Sequence, residues 1–181
     1  MTLHLRTLTL GDESAFFEGL REWEGDDPNW YTFIWQPGMP YKDMLERLRK
    51  DSAAEDLPPG RVPHTMLYAF VDGHIIGRLS IRHTLNERLR HRGGHIGYAV
   101  AKRFRRQGYA TEIVRQGLCF CDHLRINPIM VTCGDGNTPS WRIIERFGGK
   151  LLDTIWDEQD KEMIRRYWIT RDPKCAPDQT L

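Results

Sequence analysis

Apolar and polar positions alternate from Leu3 to Thr9, which predicts an opening strand. Asp12 or Ser14 can cap a helix that runs to about Trp23. Residues 24–40 contain Pro28, Pro37, Gly38 and Pro40 and read as an irregular loop. From about Lys42 to Ser52, Met44, Leu45 and Leu48 recur at helical spacing. A Pro/Gly loop over 53–62 follows, and the pattern then becomes that of strands. His64–Val71 and His74–Arg82 flank Asp72-Gly73, a strong hairpin turn. Gly94–Val100 is a further extended stretch, after a basic loop over 86–93. Tyr109–His123 predicts a helix with Ala110, Ile113, Val114 and Leu118 inward, and Pro128–Cys133 a short strand. The next helix is expected to take Thr138 as N-cap with Pro139 at the first helical position, and to end at Gly148-Gly149. Lys150–Trp156 and Glu162–Thr170 read as a closing antiparallel pair. The order β-α-α-β-β-β-α-β-α-β-β is that of an α/β or α+β protein, a mixed sheet with helices packed on it.

The 181 residues fit one domain, expected over 1–171, with a loose tail over 172–181. A net charge of +1 gives no global field toward nucleic acid or a membrane, so any anion site must be local. No apolar run approaches the length of a membrane span and the N-terminus lacks a signal-peptide pattern, so a cytoplasmic protein is expected. Cys119, Cys121, Cys133 and Cys175 form no C-x-x-C pair and have no His pair at metal spacing. Buried free thiols are therefore expected, and no metal.

The basic residues gather in one stretch: Arg88, Arg90 and Arg92, then Lys102, Arg103, Arg105 and Arg106. There an extended segment, Ile96 to Val100, feeds a basic turn that opens through Gly108 into a helix. The first turn of a helix presents unpaired N–H groups and a partial positive charge, which suits phosphate. Gly108 removes a side chain where backbone must approach a ligand, Ala110 keeps the next turn small, and the two arginines can pair with phosphate oxygens. An ordinary strand–loop–helix connection with a solvated basic loop accounts for this spacing equally well. Neither G-x-x-x-x-G-K-[ST] nor G-x-G-x-x-G occurs in the chain.

Arg105-Arg106-Gln107-Gly108-Tyr109-Ala110 resembles the [QR]-x-x-G-x-[GA] signature of the GNAT superfamily of N-acetyltransferases. Ala110-Thr111-Glu112, and further on Val131-Thr132-Cys133, Asn137 to Ser140, Ile143-Ile144-Glu145 and Gly148-Gly149, resemble the same family's flanking segments. The resemblance covers roughly residues 60 to 170. It implies a mostly antiparallel, twisted sheet of about seven strands, splayed between the fourth and fifth and flanked by about four helices. It also implies acetyl-coenzyme A as co-substrate. Arg105, Arg106, Gln107, Gly108, Tyr109, Ala110 and Thr111 would hold its pyrophosphate. Ala99 and Val100 would bind pantetheine as an extra strand would, with Asn137 and Ser140 beside it. A backbone N–H near Ala99 or Val100 would polarise the thioester.

The family often uses a strand Glu as general base. Here the matching places hold Gly94 and His95, and His95 titrates near neutrality, so it is the candidate base. A hydrogen bond to a neighbouring strand is its structural alternative. Tyr98 is a further catalytic candidate. The usual Tyr acid of the following helix is replaced by Ile144, and Cys133 is a weaker, nucleophilic candidate. The acidic, aromatic loop suggests an acceptor site at Glu24, Trp30, Tyr31 and Trp35, with His83 a weaker candidate. The expected acceptor is a small-molecule amine, a protein N-terminus or a lysine. The family also makes a dimer through the C-terminal strands plausible beside a monomer. A coenzyme A-binding sensor without catalysis is the competing reading.

Overall fold

The computed structural model describes residues 2–172; Met1, Cys175 and most of the expected tail lie outside these residues. One seven-stranded sheet organises the chain. Its strands are β1 (His4–Arg6), β2 (His64–Val71), β3 (His74–Arg82), β4 (Ile96–Val100), β5 (Ile129–Gly134), β6 (Lys150–Asp157) and β7 (Glu162–Ile169). They lie in the order β1-β2-β3-β4-β5-β7-β6. Every neighbouring pair is antiparallel except β4 and β5, which run parallel and share the single register pair Ile96↔Val131. The sheet therefore splits between its fourth and fifth strands.

Six helices pack on it: α1 (Glu13–Arg21), α2 (Asn29–Thr32), α3 (Tyr41–Ser52), α4 (Glu87–His91), α5 (Tyr109–His123) and α6 (Thr138–Arg146). Two of them, α2 and α4, fall in stretches whose sequence reads as loop. Each is about one turn, too short to impose a 3.6-residue period. Local hydrogen bonds accompany them instead: Asn86 caps α4, accepting from the Leu89 N–H at 2.9 Å, and just before α2 Asp27 accepts from the Asn29 N–H at 3.0 Å. The opening strand is shorter than the alternation suggests. Beyond Arg6 the chain is tied down by Asp12, whose carboxylate accepts two bonds from Arg6 at 2.7 Å and others from Thr9. The Arg6 guanidinium holds the Asp12 carboxyl well below the usual range. At α6 the cap is Asn137, accepting from the Ser140 N–H at 3.2 Å, and Thr138 is already helical.

Alternate residues of β2 feed two separate cores, which is why the whole strand is buried. Leu67, Ala69 and Val71 join Leu79, Ile81, Ile96 and the inner face of α5. Met66, Tyr68 and Phe70 join Phe16, Tyr31, Tyr41 and Met44 beneath α1 to α3. Each fully buried Leu or Ile contributes about 1.5–3 kcal/mol relative to exposure. Cys121 is a buried free thiol and Cys133 a half-buried one. Cys119 departs from the free-thiol expectation and is disulfide-bonded.

The place where the sheet splits is fixed by one residue pair. Gly94 turns the chain with φ +60, and a Cβ there would lie 2.5 Å from the Met130 carbonyl oxygen. His95 follows. Its backbone N–H donates to Met130 O at 2.7 Å, and its Nδ1 accepts from the Met130 N–H at 2.9 Å. The imidazole thus does the work of a backbone carbonyl and clamps β4 to β5 just before they part. That bond requires Nδ1 unprotonated. Burial, with Arg90 and Arg82 repelling a second charge, pushes the His95 pKa down to about 4.

His95→Leu is expected to leave the Met130 N–H unpaired and to lower stability by about 1–3 kcal/mol, read by urea unfolding. Below pH 6.5, the ordinary His value, the unfolded chain binds a proton at His95 that the native chain refuses until about pH 4. The clamp's contribution is therefore complete above pH 6.5 and lost toward pH 4, and burial acts in the same direction on His64 and His83. A melting temperature that does not fall between pH 7 and 5 would contradict this.

Candidate functional site

Beyond the clamp, the β5 edge of β4 is left without a strand partner, and a cavity of about 680 Å³ opens there. Four segments converge on it. From β4 come Tyr98, Ala99 and Val100. From the following loop and α5 come Arg105, Arg106, Gly108, Ala110 and Thr111, and from the start of α6 come Asn137, Pro139, Ser140 and Ile143. From the segment joining α1 to α2 come Trp23, Asp26, Asp27 and Trp30. The size is that of an ordinary small-ligand site. Because the cavity occupies a split in the sheet, elements from both faces border it. The α5 and α6 residues line one side, the Trp30 loop the other.

The loop before α5 owes its shape to two left-handed residues, Arg106 at φ 64 and Gly108 at φ 86. For Arg106 that conformation costs about 1–2 kcal/mol. It aims the first turn of α5 at the cavity, where Thr111 N and Glu112 N already bond to Gly108 O. Arg105 is held in place twice. Its Nε donates to Val100 O at 2.9 Å and its Nη2 pairs with Asp26 at 2.5 Å, while Arg103 pairs with Glu22 at 3.0 Å. Arg105–Asp26 therefore joins the basic loop to the acidic segment at the cavity wall, and Arg103–Glu22 ties the same loop to the end of α1 outside it. Gln107 and Tyr109 face elsewhere. They line a concavity of about 1140 Å³ between β1 and the outer side of α5. There Gln116 closes the strand edge, accepting from Leu5 N at 3.0 Å and donating to Leu3 O at 2.9 Å.

On the α6 side the Tyr98 hydroxyl is buried and makes no well-formed hydrogen bond. Burial raises its pKa to about 12, against a smaller opposing pull from the Ser140 hydroxyl nearby. It is a proton donor at neutral pH. Burial likewise pushes the Cys133 thiol up to about 11, so it stays protonated and is a poor nucleophile. Cys133 is absent from the cavity wall, and Ile144 is buried in the core.

The structure rearranges the expected acceptor residues. Trp30 lines the cavity and is half exposed. Tyr31, its neighbour in sequence, is fully buried, donates to Phe16 O at 2.8 Å and stacks on Phe16. Trp35 packs edge-on against Phe17 and donates from Nε1 to Met39 O at 2.8 Å. Glu24 lies in a depression on the outer side of α1. His83 bonds Thr65 Oγ1 at 2.9 Å and His95 forms the clamp; neither lines the cavity. The carboxylates that do line it are Asp26 and Asp27. Their signal in the sequence was the acidic, aromatic character of the whole loop, which did not distinguish them from Glu24.

Among the described residues no helix is long and apolar enough to cross a membrane. Solved structures with the same fold include three acetyltransferases. The ribosomal L7/L12 alpha-N-protein acetyltransferase RimL in complex with coenzyme A is 14% identical, with 96% of this chain and 97% of that chain covered and a TM-score of 0.65. RimJ of Mycobacterium smegmatis in complex with CoA-disulfide is 19% identical, with 93% and 81% covered and a TM-score of 0.65. A chimera of the spermidine N-acetyltransferase SpeG from Vibrio cholerae and hSSAT is 14% identical, with 94% and 96% covered and a TM-score of 0.60. No curated protein sequence matches. The family model described as acetyltransferase (GNAT) domain matches residues 2–150, most of the chain. With its split sheet and the turn into α5, the chain belongs to the GNAT acetyltransferase family, as an acyltransferase enzyme.

Proposed function

We propose that the chain transfers the acetyl group of acetyl-coenzyme A to a primary amine by direct attack. The observation that carries this reading is the cavity through the split sheet, with a phosphate-type turn on one side and an acidic, aromatic wall on the other. RimL, in its complex with coenzyme A, has the same fold. The backbone of residues 105–110 would hold the pyrophosphate, helped by the positive end of α5. Pantetheine would lie along Tyr98 to Val100, where β4 has no neighbour, with Asn137 and Ser140 beside it. Backbone N–H groups of β4 would polarise the thioester carbonyl.

The amine would enter past Trp30, with Asp26 and Asp27 drawing its cationic form and accepting the proton it must lose. His95 is not part of this reading, because its Nδ1 is committed to Met130. As the new C–N bond forms and the C–S bond breaks, the leaving thiolate needs a proton. Ser140 and Tyr98 stand on the cavity wall as hydroxyl donors and would take the acid's role that the family often gives to a Tyr, here replaced by Ile144.

Acetyl-coenzyme A and coenzyme A, but not ATP or NAD, are expected to raise the melting temperature. Ligand at 100 times its Kd adds about 2.7 kcal/mol, roughly 5–10 °C for a chain this size. Gly108→Val should abolish the shift while the protein stays folded, since space around Gly108 is open but its φ is left-handed. Protection by ATP instead would overturn the reading. Replacing Tyr98 by Phe together with Ser140 by Ala is expected to lower kcat on the order of 10²-fold with the KM for acetyl-coenzyme A nearly unchanged. An unaltered kcat would mean that the thiolate leaves unassisted.

A further inference from the structure

Residues 78, 80 and 82 of β3 share one face of the sheet, the face on which Trp30 and Phe33 lie. Two of the three are arginines. Arg78 is buried, donates from Nε to Trp30 O and from Nη1 to Ser80 Oγ at 3.2 Å, and lies against the Trp30 and Phe33 rings. Arg82 donates from Nη1 to Gly93 O at 3.2 Å and keeps part of its surface open. Among the described residues, no carboxylate forms an ion pair with either guanidinium. Arg82 has two further cations near it, Arg78 and Arg88. Burial draws both guanidiniums down to about 10, which still leaves them charged at neutral pH.

Two cations withdrawn from water without a counter-charge are a costly arrangement, and one that favours an incoming anion. Across from them, β4 contributes Gly97, opposite Ser80, and Ala99, opposite Arg78. Gly97 makes room for the Arg82 guanidinium, which lies over it. A Cβ there would approach Arg82 Nη1 to 2.9 Å and Ser80 Oγ to 3.2 Å. Ala99 lines the cavity through the split sheet. Along β4, Gly97 stands about 7 Å from Ala99. The basic strip thus lies beside the cavity, on the same face of the sheet as Ala99.

We propose that the acceptor is an amine that also carries a carboxylate, which docks on the open side of the Arg82 guanidinium while the amine reaches the split at Ala99. The fork of Arg82 suits a carboxylate, and Arg78 beneath strengthens the local field. The acidic wall at Asp26 and Asp27 would take the ammonium end of the same molecule. A free amino acid and an acidic residue near a peptide N-terminus offer this chemistry alike. The proposal rests on the acetyl-transfer reading.

The test compares ω-amino acids of increasing length with alkylamines of matched length, following thiol release from acetyl-coenzyme A. The expected result is a kcat/KM at least roughly tenfold higher for the amino acids, the worth of one charge-assisted hydrogen bond. Arg82→Met should erase that preference and Arg82→Lys should restore part of it. Dipeptides with an acidic second residue separate the peptide source from the free amino acid. Equal use of alkylamines by the unaltered protein, or a preference that survives Arg82→Met, would overturn the proposal. Glutarate protection against thermal unfolding, compared with chloride at equal ionic strength, reads the same site without catalysis. No glutarate protection overturns the carboxylate site, whereas no turnover of any amine beside intact glutarate protection overturns the transfer reading instead.

Discussion

The hydrogen bonds between His95 and Met130 decide where the sheet comes apart, and the site depends on that position. Two parallel strands with one register pair have little to hold them together. The imidazole supplies what the missing ladder does not, a second bond at the last point of contact. From Gly97 onward, β4 is paired with β3 alone. Tyr98 then faces one core and Ala99 the other, and both border the same opening. The cavity is therefore bordered by residues of both cores. The seven-strand frame, the turn into α5 and the two apolar cores all serve to keep that opening fixed.

Charge is distributed around the opening in a definite order. The basic turn before α5 faces the acidic segment before α2, and the two are joined by Arg105–Asp26. Behind the acidic segment lies the uncompensated pair Arg78 and Arg82. The sequence of signs is positive, negative, positive across the cavity and the sheet face beside it. A net charge of +1 conceals this completely.

The sequence read well where physical constraints are local. The strand and helix order follows from period and turn residues, and Asp72-Gly73 does form the β2–β3 hairpin. Gly108 and Ala110 could be picked out because a left-handed turn into a helix leaves a residue-level signature. Side-chain direction was not legible. Trp30 and Tyr31 are adjacent and alike in composition, yet one lines the cavity and the other is sealed beneath Phe16. That outcome is set by the hinge at Pro28 and by packing against β2, which no local pattern encodes. His95 shows the same limit. Its role depends on the turn at Gly94 and on a backbone N–H some 35 residues away in sequence. The one-turn helices α2 and α4 escaped for a simpler reason, since four or five residues carry no period.

The 2.5 Å contact between Arg105 and Asp26 has a consequence for coupling. One Nη2 N–H goes to that carboxylate, and the guanidinium keeps further N–H groups for a second anion. An anion held there would share the positive charge with Asp26 and leave that carboxylate a stronger draw for a cation. One guanidinium would in this way let the basic turn and the acidic segment feel each other's occupants.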